Sequence, residues 1–249
     1  RAPSSVSALL AGIVSKSTLY VLFRISLGLG MQAETLGLIL LLFSFLNMTV
    51  GNALALLQRY TKRLLAYSSV AQTGYVMFAV GLGLRYGRPA AIRAGFFLLL
   101  AHAVLKALAF LSKGVCHYHR DVTLTRELRG TAAQIPLVAV TFAVALIGLA
   151  GIPPLAGFAA KWWILTESLP APDGWVAAGI VIFLVNSVLA LGYYLPLIVR
   201  LFDNSGAEGG RIPLSVWMSA PLLLLAALAL AIGFQPGPWL GWAEWLTFF

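Results

Sequence analysis

Three lysines stand near the middles of the most apolar stretches of this 249-residue chain: Lys16 in AGIVSKSTLYV, Lys106 in AHAVLKALAF and Lys161 in GFAAKWWIL. In hydrocarbon each such charge costs about 2.5 to 3.5 kcal/mol, so three cost roughly 8 to 10 kcal/mol. Leu, Ile, Phe and Val return only about 0.3 to 0.6 kcal/mol apiece. Lys161 lies about four residues from the nearer end of its span, whereas Lys106 lies about seven and Lys16 about eleven, or about 10 to 16 Å of helix. That is too far for comfortable snorkelling, which suits Lys113 and Arg24 near span ends better. An ionisable group at such depth is read first as functional.

The surrounding residues sharpen the chemistry. His102 precedes Lys106 by four positions, so the two share a helix face. Imidazoles as a class change charge near neutral pH, and a buried amine is a switchable proton carrier. All eight carboxylates (Glu34, Asp121, Glu127, Glu167, Asp173, Asp203, Glu208 and Glu244) fall in joins or in the tail. The lysines therefore lack a carboxylate partner within their spans, which fits proton transfer better than static ion pairing. Lys161 also follows Gly151, Pro153 and Pro154 in LAGIPPLAGFAAKWWIL. A proline pair frees backbone groups at membrane depth, which is tolerated only against protein or water. An interrupted helix that holds a titratable lysine beside water is the expected arrangement.

Other candidates carry less. Cys116, His117 and His119 in CHYH lack further ligands nearby, and a solvated loop is expected there rather than a metal site. The glycines of SLGLGM and VGLGL are expected to end helices. No dinucleotide, P-loop, haem or iron–sulfur spacing is present.

The elements that must position these groups follow from composition. The chain is 60% hydrophobic and only 10% charged, against about 25% charged in soluble domains. Its mean hydropathy is +0.91. Apolar runs of about 18 to 25 residues match membrane-crossing helices. The fold class is an all-α polytopic membrane protein with about seven spans, roughly Ser4–Leu27, Thr35–Leu57, Leu64–Leu84, Ala94–Lys113, Ile135–Leu165, Trp175–Leu201 and Leu214–Phe234. One of them is broken at Gly151–Pro154. The longest polar segment, Gly114 to Gln134, is too short for a domain, so residues 1–249 form a single membrane domain.

The net charge of +9 is scattered over joins and spans, which marks orientation and not a nucleic-acid partner. Arg1, Arg59, Lys62, Arg63, Lys113, Arg120, Arg126, Arg129, Arg200 and Arg211 fall on one side, against Arg24, Arg85, Arg88 and Arg93 on the other. The first residue is thereby expected on the cytoplasmic or matrix side, in a bacterial or archaeal plasma membrane or an organellar energy-coupling membrane. The single cysteine excludes an internal disulfide framework. Residue 1 is Arg, and the chain is expected to be the latter part of a longer polypeptide or one product of a split gene.

Three segments, KRLLAYSSVAQTGYVMFAVGLG (62–83), AHAVLKALAFLSKG (101–114) and GLAGIPPLAGFAAKWWIL (148–165), resemble a known family. It comprises the antiporter-like membrane subunits of respiratory complex I (NADH:quinone oxidoreductase, M-, N- and L-type), Mrp-type cation/proton antiporters (D-type) and membrane-bound hydrogenases. APSSVSALLAGIVSKSTLYVLFRI (2–25) fits as well, and the resemblance covers nearly the whole chain in order. It implies inverted repeats of about five helices, each with one broken helix. On that plan residues 1–30 are a linker helix, 31–205 the second repeat, and 206–249 a C-terminal helix and tail.

The resemblance further implies that Lys16 matches the linker-helix lysine between two half-channels. Lys106, with His102, matches the central-axis position, and Lys161 matches the ionisable residue of the broken helix. Some relatives carry a further His where this chain has Leu98. The implied activity is proton translocation as an antiporter-like subunit of a redox-driven, complex I-type pump, with an Mrp-type Na+/H+ antiporter subunit as the alternative. The implied partners are other membrane subunits, the lipid bilayer, and protons with Na+ as the alternative ion. No cofactor is implied in this chain, whereas partner subunits would carry flavin, iron–sulfur clusters and quinone. A self-contained solute transporter would need a substrate cavity with paired polar groups, and an inert scaffold would leave the lysines without use.

Overall fold

The computed structural model describes residues 3–28, 32–170, 173–205, 210–239 and 241, all of it helix or connecting loop among those residues. Gly30, Glu208, Glu244 and most of the aromatic tail lie outside the described residues, as does the side chain of Arg24. The first expected span begins as α1 (Ser4–Leu9), passes through a π-helical turn at Leu10–Val14, and continues as α2 (Ser15–Gly28). Then come α3 (Ala33–Leu56), α4 (Thr61–Arg85) and α5 (Pro89–Arg120). After a 3-10 turn at Thr125–Leu128 and the short α6 (Thr131–Gln134), the chain continues with α7 (Pro136–Ala150) and α8 (Ala156–Ser168). The last two helices are α9 (Gly174–Phe202) and α10 (Val216–Phe234).

Among the described residues five stretches are long and apolar enough to cross a membrane: Val6–Phe23, α3, α5, α9 and α10. The other two expected spans fall on α4 and on the α7–α8 pair. α4 has the length but buries Thr61, Ser68 and Gln72 on its inner face, which lowers its hydropathy without exposing those groups to lipid. α7 and α8 are each too short to span alone by helical rise.

α5 is the central post, packed against α1, α4, α7, α8 and α10. Pro89 starts it at the position where a missing N–H is harmless. The helix ends at Asp121 in the left-handed region, φ 49°. This corrects the expected span of Ala94–Lys113 and the expected loop at CHYH, because Cys116, His117 and His119 all sit in the last turns of α5. The helix persists there because the following loop folds back over it. Val122 and Leu128 are buried, and the Arg120 guanidinium donates to Thr131 Oγ1 at 2.7 Å and to the Arg129 carbonyl at 2.6 Å. The loop is then pinned to the start of α4, with Thr61 N–H donating to the Thr123 carbonyl (3.2 Å) and Thr125 N–H to that of Arg59 (2.8 Å).

α3 and α4 approach closely through small residues, the usual route to helix packing in lipid. A side chain at Gly51 would meet the backbone of Ala71, and one at Gly81 would meet the Gly37 carbonyl. α4 therefore runs through Gly81 and Gly83 to Arg85, and these glycines serve contact with α3 and α5, not helix ends.

Candidate functional site

All three central lysines are buried: Lys16 is 7% exposed, Lys106 0% and Lys161 6%, and His102 beside them is 2% exposed. Each ammonium is held by neutral oxygens, and among the described residues none of the three pairs with a carboxylate.

Lys16 is positioned by the π-helical turn. Its Nζ donates to the Ala11 carbonyl at 2.7 Å and to Ser15 Oγ at 3.1 Å. A π turn displaces carbonyls from the regular ladder, and such turns recur at functional sites. Within that turn Gly12 faces the Ala103 carbonyl and the Ala107 methyl of α5. The absence of a side chain lets the Lys16 helix lie against the segment that carries His102 and Lys106.

Lys106 reaches from α5 to α4. Its Nζ donates to the Leu65 carbonyl and to Ser68 Oγ, both at 2.6 Å. The Ser68 hydroxyl in turn donates to Leu65 O at 3.0 Å, so amine, hydroxyl and carbonyl form a closed triangle. His102, one turn away, lies within electrostatic range of Lys16, Lys106 and Lys161 together. Its Nε2 is buried with no hydrogen-bond partner among the described residues. A buried polar atom of this kind asks for an explanation, and a relay nitrogen that accepts only transiently is one.

The helix break is fully accounted for. The last four carbonyls of a helix lack intrahelical partners, and those of α7 are Ile147, Gly148, Leu149 and Ala150. Gly151 takes φ 81°, a conformation that glycine adopts without side-chain strain. Gly151 N–H then donates to Gly148 O (3.1 Å) and Ile152 N–H to Ile147 O (3.2 Å), a Schellman arrangement. Gln72 of α4 donates from Nε2 to Leu149 O at 3.0 Å. Lys161 of α8 donates to Ala150 O at 3.3 Å. Lys161 is thus itself a cap of the broken helix.

Its Nζ also lies 4.8 Å above the Tyr75 ring, and its side chain covers Gly151. Pro153 and Pro154, joined by a cis peptide bond, form the connecting loop against Gly233 of α10. α8 returns close to α7 because Gly157 lies directly on the Gly148 carbonyl. From Tyr75 a buried polar cluster extends sideways. Asn52 Nδ2 approaches Tyr75 Oη (3.5 Å) and donates to Asn186 Oδ1 (3.0 Å), while Tyr193 Oη donates to Asn52 Oδ1 (2.8 Å).

The structure therefore brings Lys16, His102, Lys106 and Lys161 into one interior, with Gly151, Pro153 and Pro154 beside Lys161. Sequence reading missed Ser68, Gln72 and Tyr75, whose only signal is polarity inside an apolar helix. It also misread Lys113, which does not snorkel. That lysine is 2% exposed, and its Nζ donates to the Val122 carbonyl at 2.6 Å.

Residues 1–190 match the family described as "NADH:quinone oxidoreductase/Mrp antiporter, TM". Over 247 residues the chain is 33% identical to F(420)H(2) dehydrogenase subunit N of Methanosarcina mazei, covering 95% of this chain and 49% of that one. It is 37% identical to NADH-quinone oxidoreductase subunit N of Geobacter metallireducens, again over 95% of this chain and 49% of the relative. A solved chain of the Mrp complex from Dietzia sp. superimposes with a TM-score of 0.82 at 25% identity, over 96% of this chain and 52% of that one. The chain thus spans about half the length of the curated relatives it matches.

Proposed function

Given that this chain belongs to the NADH:quinone oxidoreductase/Mrp antiporter family, we propose that it forms part of an antiporter-like subunit that moves protons across an energy-coupling membrane. The larger assembly is a complex I-type, redox-driven pump. One observation carries the reading: three buried lysines held by neutral oxygens, with His102 within electrostatic range of all three. Chemistry on the electron carriers belongs to partner subunits that hold flavin, iron–sulfur clusters and quinone, and this chain contributes proton handling.

The mechanism is electrostatic. Two unit charges about 8 Å apart at an effective dielectric of about 20 interact by about 2 kcal/mol. Protonating one lysine therefore disfavours the charge on its neighbour, and a proton advances from Lys16 to Lys106 to Lys161. His102 Nε2 serves as the intermediate acceptor at the Lys106 step. Lys161 exchanges with the far side through the break at Gly151–Pro154. The excess of basic residues supports a first residue on the cytoplasmic or matrix side.

Lys106→Ala in the assembled complex, assayed as proton translocation in sealed membrane vesicles, is expected to abolish pumping, and undiminished pumping would refute the reading. Retained pumping after Lys161→Ala would remove only the exit role of Lys161. The likeness to the Mrp structure supports a second reading, a Mrp-type Na+/H+ antiporter subunit. Companions purified from native membranes separate the two. Flavin and iron–sulfur subunits mean a redox pump, and small multispan subunits with Na+-dependent exchange mean the antiporter.

A further inference from the structure

The path described so far runs between helix interiors and leaves its loop-side opening unassigned. Lys113 stands seven positions beyond Lys106 on α5, hence on the same face and about 10 Å along the axis. Its ammonium donates to the Val122 carbonyl at 2.6 Å, and the same oxygen lies 3.1 Å from His117 Nδ1. His117 Nδ1 is also 3.3 Å from Asp121 Oδ1, and the side chains of His117 and Asp121 are 43% and 93% exposed. A solvent-facing carboxylate, a half-exposed imidazole and a buried amine thus converge on one loop. Amine and imidazole share a single acceptor, the Val122 carbonyl.

A second observation lies on the inner side. Thr61, the first residue of α4, is fully buried, and its Oγ1 has no hydrogen-bond partner among the described residues. Its backbone N–H is tied to Thr123, next to Val122. One turn further along α4 is Leu65, whose carbonyl holds Lys106. The orphaned hydroxyl therefore sits between the loop that holds Lys113 and the oxygens that hold Lys106. The other charged or titratable groups around Lys113 are Lys62, Cys116, Asp121 and Glu127.

We propose that His117 and Asp121 form a loop-side proton-exchange pair, and that Lys113 relays between this pair and Lys106 past the Thr61 hydroxyl. The proposal rests on the proton-translocation reading given above. A proton exchanged at Asp121 and His117 is taken up by the neutral Lys113 amine. The resulting ammonium passes it inward to Lys106 and is again neutral, ready for the next.

Lys113→Arg tests this in the assembled complex in sealed native vesicles. Arginine keeps a donor for Val122 O but does not give up its proton. The expected result is a loss of translocation of roughly tenfold or more, the scale of a lost proton-transfer group, with Lys113→His recovering part of the rate. The paired variant His117→Asn, Asp121→Asn is expected to translocate several-fold more slowly, with a deficit that widens as bulk pH rises and protons become scarce. A merely structural role for Lys113 would not shift that pH profile. Wild-type translocation by Lys113→Arg, while Lys106→Ala stops it, overturns this proposal and leaves the proton path standing. Wild-type rates in both variants sink the path itself. If Lys113→Arg fails to assemble, the exposed pair decides, and an unchanged pH profile there overturns the proposal.

Discussion

Gln72→Met removes one hydrogen bond and little volume, and it probes the reasoning about the broken helix most directly. Gln72 is buried on α4 at 2% exposure, and its Nε2 is the donor that satisfies Leu149 O, at 3.0 Å. A buried acceptor left without a partner costs about 1 to 3 kcal/mol. At membrane depth bulk water cannot replace the donor, which favours the upper half of that range, about 2 to 3 kcal/mol. That corresponds to a shift of roughly thirtyfold or more in the folding equilibrium.

The assay is denaturant unfolding of the full-length protein in detergent, with Gln58→Met as the matched control. Gln58 makes the same kind of bond, to Leu54 O at 3.1 Å, but in a half-buried position at the end of α3. Its loss should stay within about 0.5 kcal/mol. Because Lys161 caps the adjacent carbonyl, Gln72→Met and Lys161→Met should couple by about 0.5 to 3 kcal/mol in a double-mutant cycle. Gln72→Met indistinguishable from the control would refute the claim that side chains complete the termination of α7. Strict additivity with Lys161→Met would refute the claim that the two act as one cap.

Gly157→Ala should destabilise the protein by about 3 kcal/mol or more, because the new methyl would fall on the Gly148 carbonyl, and backbone cannot yield as a side chain does. Gly174→Ala, where nothing lies within 4 Å, should be neutral in the same unfolding assay. The loop after α5 should loosen in acid. Glu127 Oε2 accepts from the N–H groups of Leu124 (2.8 Å) and Thr123 (2.7 Å), which hold its carboxyl below the usual glutamate range. A depressed carboxyl contributes stability that is present above its unfolded value and lost as pH falls through the folded one. Protection of the Thr123 and Leu124 amides against hydrogen exchange, taken relative to their intrinsic rates, should therefore fall at low pH, and Glu127→Gln should remove that pH dependence.

Much of the site was legible because membrane grammar makes exceptions conspicuous. Lys16, Lys106 and Lys161 stand out by their transfer cost, and the Gly151–Pro154 break stands out because proline cannot donate within a helix. The partners were not legible, because they come from distant sequence. Lys106 finds Leu65 and Ser68 about forty residues back, and Leu149 O finds Gln72 at a separation of 77. The π turn at Leu10–Val14 leaves no mark in hydropathy. Lys113 was misjudged for a related reason. Hydropathy places a span end where charges begin, whereas the helix continues to Arg120 because Val122 and Leu128 fold back to cover it. Burial there is set by the loop that follows and not by the local sequence.

The break explains how a lysine is kept at depth with no carboxylate partner among the described residues. The C-terminal end of α7 carries about half a negative charge from its aligned peptides, and Ala150 O at that end is 3.3 Å from Lys161 Nζ. An ammonium at a helix C-terminus gains about 0.3 to 1 kcal/mol, and up to about 2 kcal/mol when partly buried. Facing the Tyr75 ring at 4.8 Å adds about 0.5 to 2 kcal/mol. With the hydrogen bond itself, these terms are of the same order as the roughly 2.5 to 3.5 kcal/mol needed to place the charge in hydrocarbon. A buried carboxylate partner would add a far stronger attraction and fix the proton in place. A helix broken so that its carbonyl end faces the lysine provides attraction enough to admit the charge and too little to trap it. In a proton path that balance is the functional property, and it predicts that Ala150→Asp, which places a carboxylate beside the lysine, slows translocation while leaving the protein folded.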